Sequence, residues 1–176
     1  MSLGPPPMQD FGQIFEEHFA YVWGSLRRLD VREADLEDQA HEVFLKVHAH
    51  FHQYDRTRQI RPWLFAFAFR VASDYRRLAR HRVEVLGASV EAVDPQQPAD
   101  TRIQLAEEHA LLAAALDTVA LDRRAVLMLH EFDEIPVPAI ASALGIPVGT
   151  ASSRLRLGRE DLAAALHRLR KQRGDR

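Results

Sequence analysis

The stretch IPVPAIASALGIPVGTASSRLRLGREDLAAAL, from Ile135 to Leu166, has the pattern of two helices joined by a tight turn. Gly145 lies at the turn, where glycine most easily adopts the positive φ that ends a helix. Pro138 suits the first turn of the leading helix, because its missing N–H would be unpaired there anyway. Ala141 is small where two helices must approach closely. The apolar residues keep helical spacing on both sides of the turn: Ile140, Leu144, Ile146, Ala151 and Leu155.

The second predicted helix of this pair is basic and carries Arg154, Arg156 and Arg159. With the apolar spacing, the small residue and the turn glycine, these arginines predict a helix-turn-helix, whose second helix enters the major groove of DNA. The alternative is an ordinary pair of antiparallel helices in a bundle. We favour the helix-turn-helix because all four features agree.

Composition places the chain among globular proteins. Its 176 residues allow one domain or two small ones, and no apolar run is long enough to span a bilayer. The absence of cysteine excludes disulfides and thiolate–zinc sites. The first residues, MSLGPPPMQD, do not have the pattern of a signal peptide. We therefore expect a cytoplasmic protein without membrane insertion.

The net charge of −2 hides a strong segregation of charge. Residues 30–42 contain six acids and one arginine, whereas residues 70–82 contain five arginines and one aspartate. Residues 151–176 contain eight basic residues and three acids. Two basic segments and one acidic segment indicate two kinds of partner, DNA and a protein. Taken singly, each segment is also compatible with a solvated helix face.

Three amphipathic helices are predicted in the first half of the chain. They run from Phe11 to Leu29, from Leu36 to Phe51, and onward from Pro62. Asp10 is placed to cap the first helix, and Pro62 suits the first turn of the third. The apolar stripe of the third helix consists of Trp63, Leu64, Phe67, Val71, Tyr75 and Leu78, and its arginines at 70, 76, 77 and 80 lie off that stripe.

Helical periodicity is lost between residues 82 and 102, where Gly87, Pro95 and Pro98 predict a linker. Periodicity resumes at Ile103, and Asp122 is expected to cap the next helix. No strand pattern or internal repeat is present. We therefore predict an all-α fold of two small helical domains, residues 8–81 and 103–173, joined by a flexible linker at 82–102.

The polar segment FHQYDRTRQIR, from Phe51 to Arg61, combines aromatic and basic residues. Aromatic stacking contributes about 1–3 kcal/mol per base in single-strand binding, while basic side chains hold the phosphates. Phe51, Tyr54, Arg56 and Arg58, with the arginines of the next helix, therefore form a combination suited to single-stranded DNA. We interpret Trp63 as a residue of the core.

Four histidines lie close in sequence, and a metal site can be built from such residues. They are His41, His48, His50 and His52. No closed coordination set accompanies them, so we interpret them as surface or partner-contacting residues. No nucleophile paired with a base and no phosphate-binding glycine loop is present. We expect no catalytic residue, no metal site and no cofactor.

At several positions the chain resembles the extracytoplasmic-function (ECF) group of bacterial RNA polymerase sigma factors, in the sigma-70 family. Residues 37–45 resemble the family stretch AED-x-x-QEVFL, and the third helix resembles fraWLyrIArN-x-x-x-D-x-x-R through Pro62-Trp63-Leu64, Asp74 and Arg77. Residues 140–155 resemble IAeiLGIPvGTVkSRL. These motifs cover nearly the whole chain, and the string IPVGT-x-x-SRL is fairly specific by itself.

The resemblance implies a division of labour for the first domain. Its second helix would dock on the clamp helices of the β′ subunit of core RNA polymerase, through Glu37, Asp38, His41, Glu42 and Leu45. The following loop and the third helix would open and read the minus-10 element. The residues assigned to the minus-10 element are Phe51, Tyr54, Arg56, Arg58, Arg70, Asp74 and Arg77.

For the second domain, the resemblance implies that the helix-turn-helix reads the minus-35 element of promoter DNA and also sits on the β-flap. Ser152, Ser153 and Arg156 would face bases, whereas Arg154 and Arg159 would contact phosphates; Thr150 belongs to the same motif. The linker would thread toward the RNA exit path. The family also implies an anti-sigma factor as a partner and no enzymatic activity.

Several positions depart from the family pattern. His41 stands where the family has glutamine, Arg70 where it has asparagine, and Ser152 where it has lysine or arginine. These departures predict an altered minus-10 preference and one weaker contact to the minus-35 element. Two other functions stay open on the residues alone. One is a stand-alone helix-turn-helix regulator of duplex DNA, and the other is a helical metal-dependent enzyme built on residues 37–52.

Overall fold

The protein is described here from a computed structural model, which covers residues 11–86 and 101–174, with side chains for 11–79 and 108–173. These residues form seven α-helices and no strand, so the all-α prediction is confirmed. The helices are α1 (Phe11–Arg28), α2 (Leu36–His50), α3 (Ile60–Leu86), α4 (Thr101–Asp117), α5 (Leu121–Glu131), α6 (Val137–Leu144) and α7 (Val148–Gly174). Among the described residues, no helix is long and apolar enough to cross a membrane.

The first three helices pack together through the apolar stripes that their sequences predict. Leu26 of α1, Val43 of α2 and Leu64 of α3 are each 0% exposed. One predicted member of the α3 stripe is wrong, because Leu78 is 58% exposed. Tyr75, three residues earlier, is only partly buried, so the core ends before this part of α3. The apolar stripe predicted for α3 therefore continues beyond the part of the helix that other helices cover.

The helices extend further than the loss of periodicity predicts. α3 continues to Leu86, so the first five residues of the predicted linker are helical, and α4 begins at Thr101. Val83 and Val85 obscure the helical pattern there, but the first strong helix breaker after Pro62 is Gly87. Residues 87–100, which hold the rest of the predicted linker, and Asp10, the predicted cap, lie outside the described residues.

The helix-turn-helix prediction is confirmed by α6 and α7. Gly145 follows α6 with φ +67°, and its N–H is donated to carbonyl groups of the last turn of that helix. Ile140 and Ala141 of α6 and Ala151 and Leu155 of α7 are buried. A left-handed residue after a helix favours glycine, which has no Cβ to clash. The turn residue thus fixes how α7 leaves α6.

The predicted role of Asp122 as a helix cap is wrong. The N-cap of α5 is Ala120, and Asp122 is the second residue of the helix. An acid in the first turn is favourable to the helix dipole, but this carboxylate also reaches another helix. Its Oδ2 lies 3.1 Å from Nη2 of Arg154 in α7. Asp122 therefore joins α5 to the helix-turn-helix.

Among the residues whose side chains are described, Arg124 of α5 is the largest buried polar one, and none of its surface is exposed. Its guanidinium donates hydrogen bonds to the carbonyls of Asp117 (2.8 Å) and Val119 (3.2 and 3.3 Å), and to Oδ1 of Asp117 (3.1 Å). Nη1 also donates to the carbonyl of Arg28, at the end of α1, over 3.0 Å. Burial lowers the pKa of Arg124, and the Asp117 charge opposes that shift. Such a buried charge is tolerated because its donors are satisfied.

The bond from Arg124 to Arg28 belongs to a seam between the two halves of the chain. Tyr21 donates its hydroxyl to Oδ2 of Asp133 over 2.8 Å, and the Arg28 guanidinium lies 5.3 Å from the ring centre of Phe132. Burial and the bond to Asp133 raise the pKa of Tyr21. The buried apolar residues of both halves also form one continuous cluster. We call this set of contacts the interdomain seam.

Replacing Arg124 with methionine should strongly destabilise the protein. The variant leaves the carbonyls of Asp117, Val119 and Arg28 without their buried donor, and each buried acceptor left unsatisfied costs about 1–3 kcal/mol. Urea unfolding followed by circular dichroism measures this loss. The matched control is Arg123→Met, since Arg123 makes a partly exposed ion pair with Asp161 and should lose under about 1 kcal/mol. Equal losses in both variants would contradict the role assigned to Arg124.

Candidate nucleic-acid and protein interfaces

One face of α2 presents acids and an exposed leucine to solvent. Ala40, Val43 and Val47 bury the opposite face, each at 0% exposure. All five residues predicted to bind a protein partner lie on or beside the open face: Glu37, Asp38, His41, Glu42 and Leu45. Leu45, on this open face, is 67% exposed among charged side chains.

Two members of this α2 face have local partners. Glu42 is partly buried, and its Oε1 lies 2.9 Å from Nζ of Lys46. His41 places Nδ1 2.9 Å from the carbonyl oxygen of Glu37. Glu37, Asp38, His41 and Leu45 remain exposed. The open face of α2 is therefore an acidic surface that includes one exposed apolar residue, Leu45, as the sequence predicts.

The loop after α2 gathers aromatic rings into a cluster. The ring of Tyr54 lies 4.9 Å from Trp63 and 6.3 Å from Phe51 between centroids, and the planes of Tyr54 and Phe51 are 18° apart. All three rings are partly buried. The loop is held by the Tyr54 hydroxyl, which donates to the carbonyl of Arg58 over 2.6 Å. The three rings therefore form a partly exposed aromatic cluster, the ring cluster, where the loop meets α3.

Sequence reasoning placed Trp63 in the core, and the structure gives it a second role. The indole packs on Phe67, 5.0 Å between centroids, but it also completes the ring cluster of the loop. Its position in the first turn of α3, directly after the aromatic loop, was the available signal. Trp63 therefore joins the core to the ring cluster.

Basic side chains surround this ring cluster. Arg56 is exposed and lies 5.8 Å from the ring centre of Phe51. Arg58 is also exposed, but its Nη1 donates to Oγ of Ser142 in α6 over 3.2 Å. The predicted loop residues are thus brought together, and one of them is engaged at the interdomain seam.

The α3 residues of the predicted minus-10 set lie on its exposed side. Arg70 is 5.6 Å from the ring centre of Phe67, and Arg77 makes a 3.1 Å ion pair with Asp74. Arg70, Asp74 and Arg77 are four and three residues apart, so they share one face of the helix. Arg76 differs, because it is partly buried and lies 3.4 Å from Oδ2 of Asp30. Only some arginines of this basic segment therefore face solvent.

The start of α7 forms the second basic surface. Ser152, Arg156 and Arg159 are exposed, and their spacing places them on one helix face. They line a shallow groove together with Val137, Leu155 and Glu160. Ser153 is exposed beside this face, and Thr150 is partly buried. The Ser152 hydroxyl donates to the carbonyl of Val148, and that of Ser153 to the carbonyl of Thr150, both over 3.0 Å.

Three arginines in the first half of α7 have different acidic partners: Arg154, Arg156 and Arg159. Arg154 is turned toward α5, where it meets Asp122, and its side chain is 27% exposed. Arg156 donates from Nη1 to Oε1 of Glu160 over 2.7 Å on the same helix.

Arg159 reaches back to the end of α5. It donates from Nε and Nη2 to Oε1 of Glu131, over 2.8 and 2.6 Å. The pKa of Glu131 is lowered mainly because these hydrogen bonds stabilise its charged carboxylate.

The histidines of α2 make ordinary local contacts. Nδ1 of His50 lies 2.9 Å from the carbonyl oxygen of Lys46, and the ring of His48 packs 4.7 Å from that of Phe11. Within the described residues, no group of three or more histidine, cysteine or acidic side chains is placed to hold a metal ion. The hypothesis of a metal enzyme therefore finds no ligand set in that part of the chain.

Family models match both halves of the chain. The model "Sigma-70 region 2" matches residues 14–82, which contain the α2 face and the ring cluster. The model "Sigma-70, region 4" matches residues 109–162, which contain the helix-turn-helix.

Curated relatives match along most of the sequence. The chain is 32% identical over 157 residues to ECF RNA polymerase sigma factor SigL of Mycobacterium tuberculosis, covering 89% of this chain and 88% of SigL. It is 26% identical over 164 residues to RNA polymerase sigma factor NccH of Alcaligenes xylosoxydans xylosoxydans, covering 89% and 86%. A match to ECF RNA polymerase sigma factor SigW of Bacillus subtilis is 28% identical and covers 77% of each chain.

Solved structures share the fold. Sigma factor RpoE from Bartonella quintana, in complex with the anti-sigma factor NepR, superposes with a TM-score of 0.70 at 21% identity, covering 91% of this chain and 98% of RpoE. CnrH, in complex with the cytosolic domain of CnrY, gives a TM-score of 0.61 at 21% identity, covering 92% and 90%. With both sigma regions matched and SigL similar over most of its length, the chain belongs to the ECF RNA polymerase sigma factors of the sigma-70 family.

Proposed function

We propose that this ECF sigma factor directs promoter recognition through three separate surfaces, each with its own partner. The observation that carries the proposal is the separation of charge on the folded chain. The open face of α2 is acidic, whereas the open face of α7 and the loop before α3 are basic. Acids repel phosphates and basic groups attract them, so the α2 face suits a protein and the other two suit DNA.

The α2 face is proposed to dock on the clamp helices of the β′ subunit of core polymerase. Leu45 supplies an apolar contact, and Glu37, Asp38 and His41 supply exposed polar groups around it. Complementary charge at an interface mainly raises the association rate and selects the partner. The helix-turn-helix is proposed to rest on the β-flap, with the linker threading toward the RNA exit path.

The ring cluster is proposed to hold an unpaired base of the minus-10 element. Extruding a base costs a few kcal/mol, and stacking on an aromatic ring returns about 1–3 kcal/mol. Tyr54 and Phe51 supply the rings, Arg56 lies beside them, and Arg70 and Arg77 supply positive charge along α3. Because Arg70 replaces the family's asparagine, we propose that the preferred minus-10 sequence is altered.

The face of α7 is proposed to read the minus-35 element. Ser152 and Arg156 line the exposed groove and face bases, while Arg154 is less exposed and serves as an anchor near the phosphates. Ser152 replaces a basic residue of the family pattern, so this contact is expected to be weaker. A bidentate arginine–guanine contact contributes about 1–3 kcal/mol of discrimination.

We also propose that the interdomain seam opens when the protein binds a promoter. The names minus-10 and minus-35 give base-pair positions, so the two elements lie about 25 base pairs apart. At about 3.4 Å per base pair, this is roughly 85 Å of duplex. A compact chain of 176 residues has a diameter of only about 40 Å. The boundaries proposed for the two separating domains are residues 8–81 and 103–173, with the linker at 82–102.

An anti-sigma factor is proposed as the regulator of this protein, in the cytoplasm where RNA polymerase acts. Two solved structures that share this fold support the proposal: RpoE of Bartonella quintana in complex with the anti-sigma factor NepR, and CnrH in complex with the cytosolic domain of CnrY. Sigma factors are not enzymes, and we propose no catalysis by this chain.

Run-off transcription with purified bacterial core polymerase tests the proposal. We expect new discrete transcripts from sheared DNA of the source organism only when core and this protein are both present. Their start sites then define the two promoter elements. Tight binding to duplex DNA without any effect on core polymerase would instead support a stand-alone regulator and overturn the proposal.

Reversing the charge of the α2 face should weaken binding to core polymerase. We expect the double variant Asp38→Arg, Glu42→Arg to lose at least tenfold in affinity, measured by fluorescence anisotropy of labelled protein. The matched control is Glu16→Arg, Glu17→Arg, which reverses two exposed acids of α1. Unchanged affinity in the α2 variant, or an equal loss in the control, would reject the docking surface.

Arg156→Ala and Arg154→Ala should have distinct effects on the minus-35 element. We expect Arg156→Ala to relax base preference at one position, with little change in folding stability because its ion pair with Glu160 is exposed. Arg154→Ala should weaken binding to all upstream sequences alike. Binding of a set of single-base duplex variants separates the two effects, and unchanged selectivity after Arg156→Ala would remove its reading role.

A further inference from the structure

We infer that Arg159 is a base-reading residue of the upstream promoter element, positioned by Glu131, and not a phosphate contact as the family resemblance implies. The inference rests on the proposed function of α7 as the reading helix. It assigns two residues that act as a unit: Arg159 touches DNA, and Glu131, at the end of α5, sets the direction in which Arg159 donates.

The first observation is the face on which Arg159 lies. Ser152, Arg156 and Arg159 are separated by four and three residues, so they form one stripe along α7. The same three side chains line the exposed groove. Arg154 lies off this stripe and turns toward Asp122 of α5. By position, Arg159 therefore belongs with the proposed readers and not with the anchor.

The second observation is which edge of the guanidinium is occupied. A guanidinium has a side edge, formed by Nε and Nη2, and an end edge, formed by Nη1 and Nη2. Arg159 gives its side edge to Oε1 of Glu131, over 2.8 and 2.6 Å. Within the part of the chain that the structure describes, Nη1 of Arg159 makes no hydrogen bond. Nη2 also lies 3.5 Å from Nδ1 of His130, the outer limit of a hydrogen bond. Nη1, the outer half of the end edge, is thus left for a ligand.

An end edge held in one orientation matches O6 and N7 of guanine in the major groove. Long arginine side chains lose rotamer freedom when they bind, and a fixed guanidinium has less to lose. The contact between Arg159 and Glu131 joins two helices, whereas the pair Arg156–Glu160 lies within one exposed helix. Arg159 is therefore anchored to α5 as well as to its own helix, which favours base reading over a diffuse phosphate contact.

The carboxylate also lowers the attraction of this site for phosphate. Glu131 neutralises much of the Arg159 charge, so a phosphate oxygen gains less there than beside an unpaired arginine. The hydrogen bonds that guanine O6 and N7 accept depend less on the net charge of the site than a phosphate contact does, because these atoms are neutral. Asp122 acts on the charge of Arg154 in the same way, so it is the place of Arg159 on the groove stripe that assigns it to bases.

The test uses the full chain with core polymerase and a pool of linear templates. Each template carries the promoter mapped by run-off transcription, with the upstream element substituted at one position at a time, and transcripts are counted by sequencing. We expect wild type to show a 5- to 150-fold preference, approximately, at the position read by Arg159, the range of a bidentate guanine contact. Arg159→Lys keeps the charge but loses the planar fork, so it should lower that preference several-fold.

Glu131→Ala should reduce the preference several-fold at the same position as Arg159→Lys. The matched control is Asp161→Ala, which also removes an acid from an ion pair between α5 and α7, with Arg123 at 2.7 Å. Because Arg123 belongs to α5 and does not line the groove, we expect the control to keep the wild-type preferences. A purely structural role of Glu131 would make the two alanine variants behave alike.

Two results would overturn the inference while leaving the proposed function intact. One is a wild-type preference profile in Arg159→Lys, which is the behaviour of a phosphate contact. The other is that Glu131→Ala and Arg159→Lys alter different positions. If wild type itself shows no preference anywhere in the upstream element, the proposed function of α7 fails, and the inference fails with it.

Discussion

The buried guanidinium of Arg124 is the interaction on which the rest of the structure depends. It closes the turn between α4 and α5 through the carbonyls of Asp117 and Val119, and it reaches the carbonyl of Arg28 at the end of α1. A charge without any exposed surface requires nearly all of its donors to be used. This requirement fixes α5, and through α5 it fixes the position of both halves of the chain.

α5 in turn organises the reading helix by pairing charges across the gap to α7. Asp122 holds Arg154, Glu131 holds Arg159, and Arg123 holds Asp161. Each of these pairs is partly exposed, so each contributes little to stability by itself. They join α5 to α7 in two ways, since Arg154 turns toward α5 whereas Arg159 also lines the groove. Asp122 and Glu131 also neutralise part of the positive charge of α7.

Much of the fold and of the candidate interfaces follows from local sequence. Gly145 ends α6 because a left-handed residue is needed there, and the apolar spacing of α1 and α2 predicts their buried faces. The exposed α2 face follows from that same spacing, since it lies opposite to the buried residues. Local patterns gave wrong predictions at Leu78 and Asp122. The burial of Leu78 depends on whether another helix covers it, and Asp122 pairs with Arg154 of α7.

The sequence by itself therefore determined the helices, the turn of the helix-turn-helix and the separation of acidic from basic faces. These features depend on periodicity and on single residues, which act within a few positions of the chain. Only the tertiary structure decided the interdomain seam and the α5 partners of Arg154 and Arg159. Such contacts join residues up to 112 positions apart, and no local pattern specifies them, because they depend on how whole helices pack.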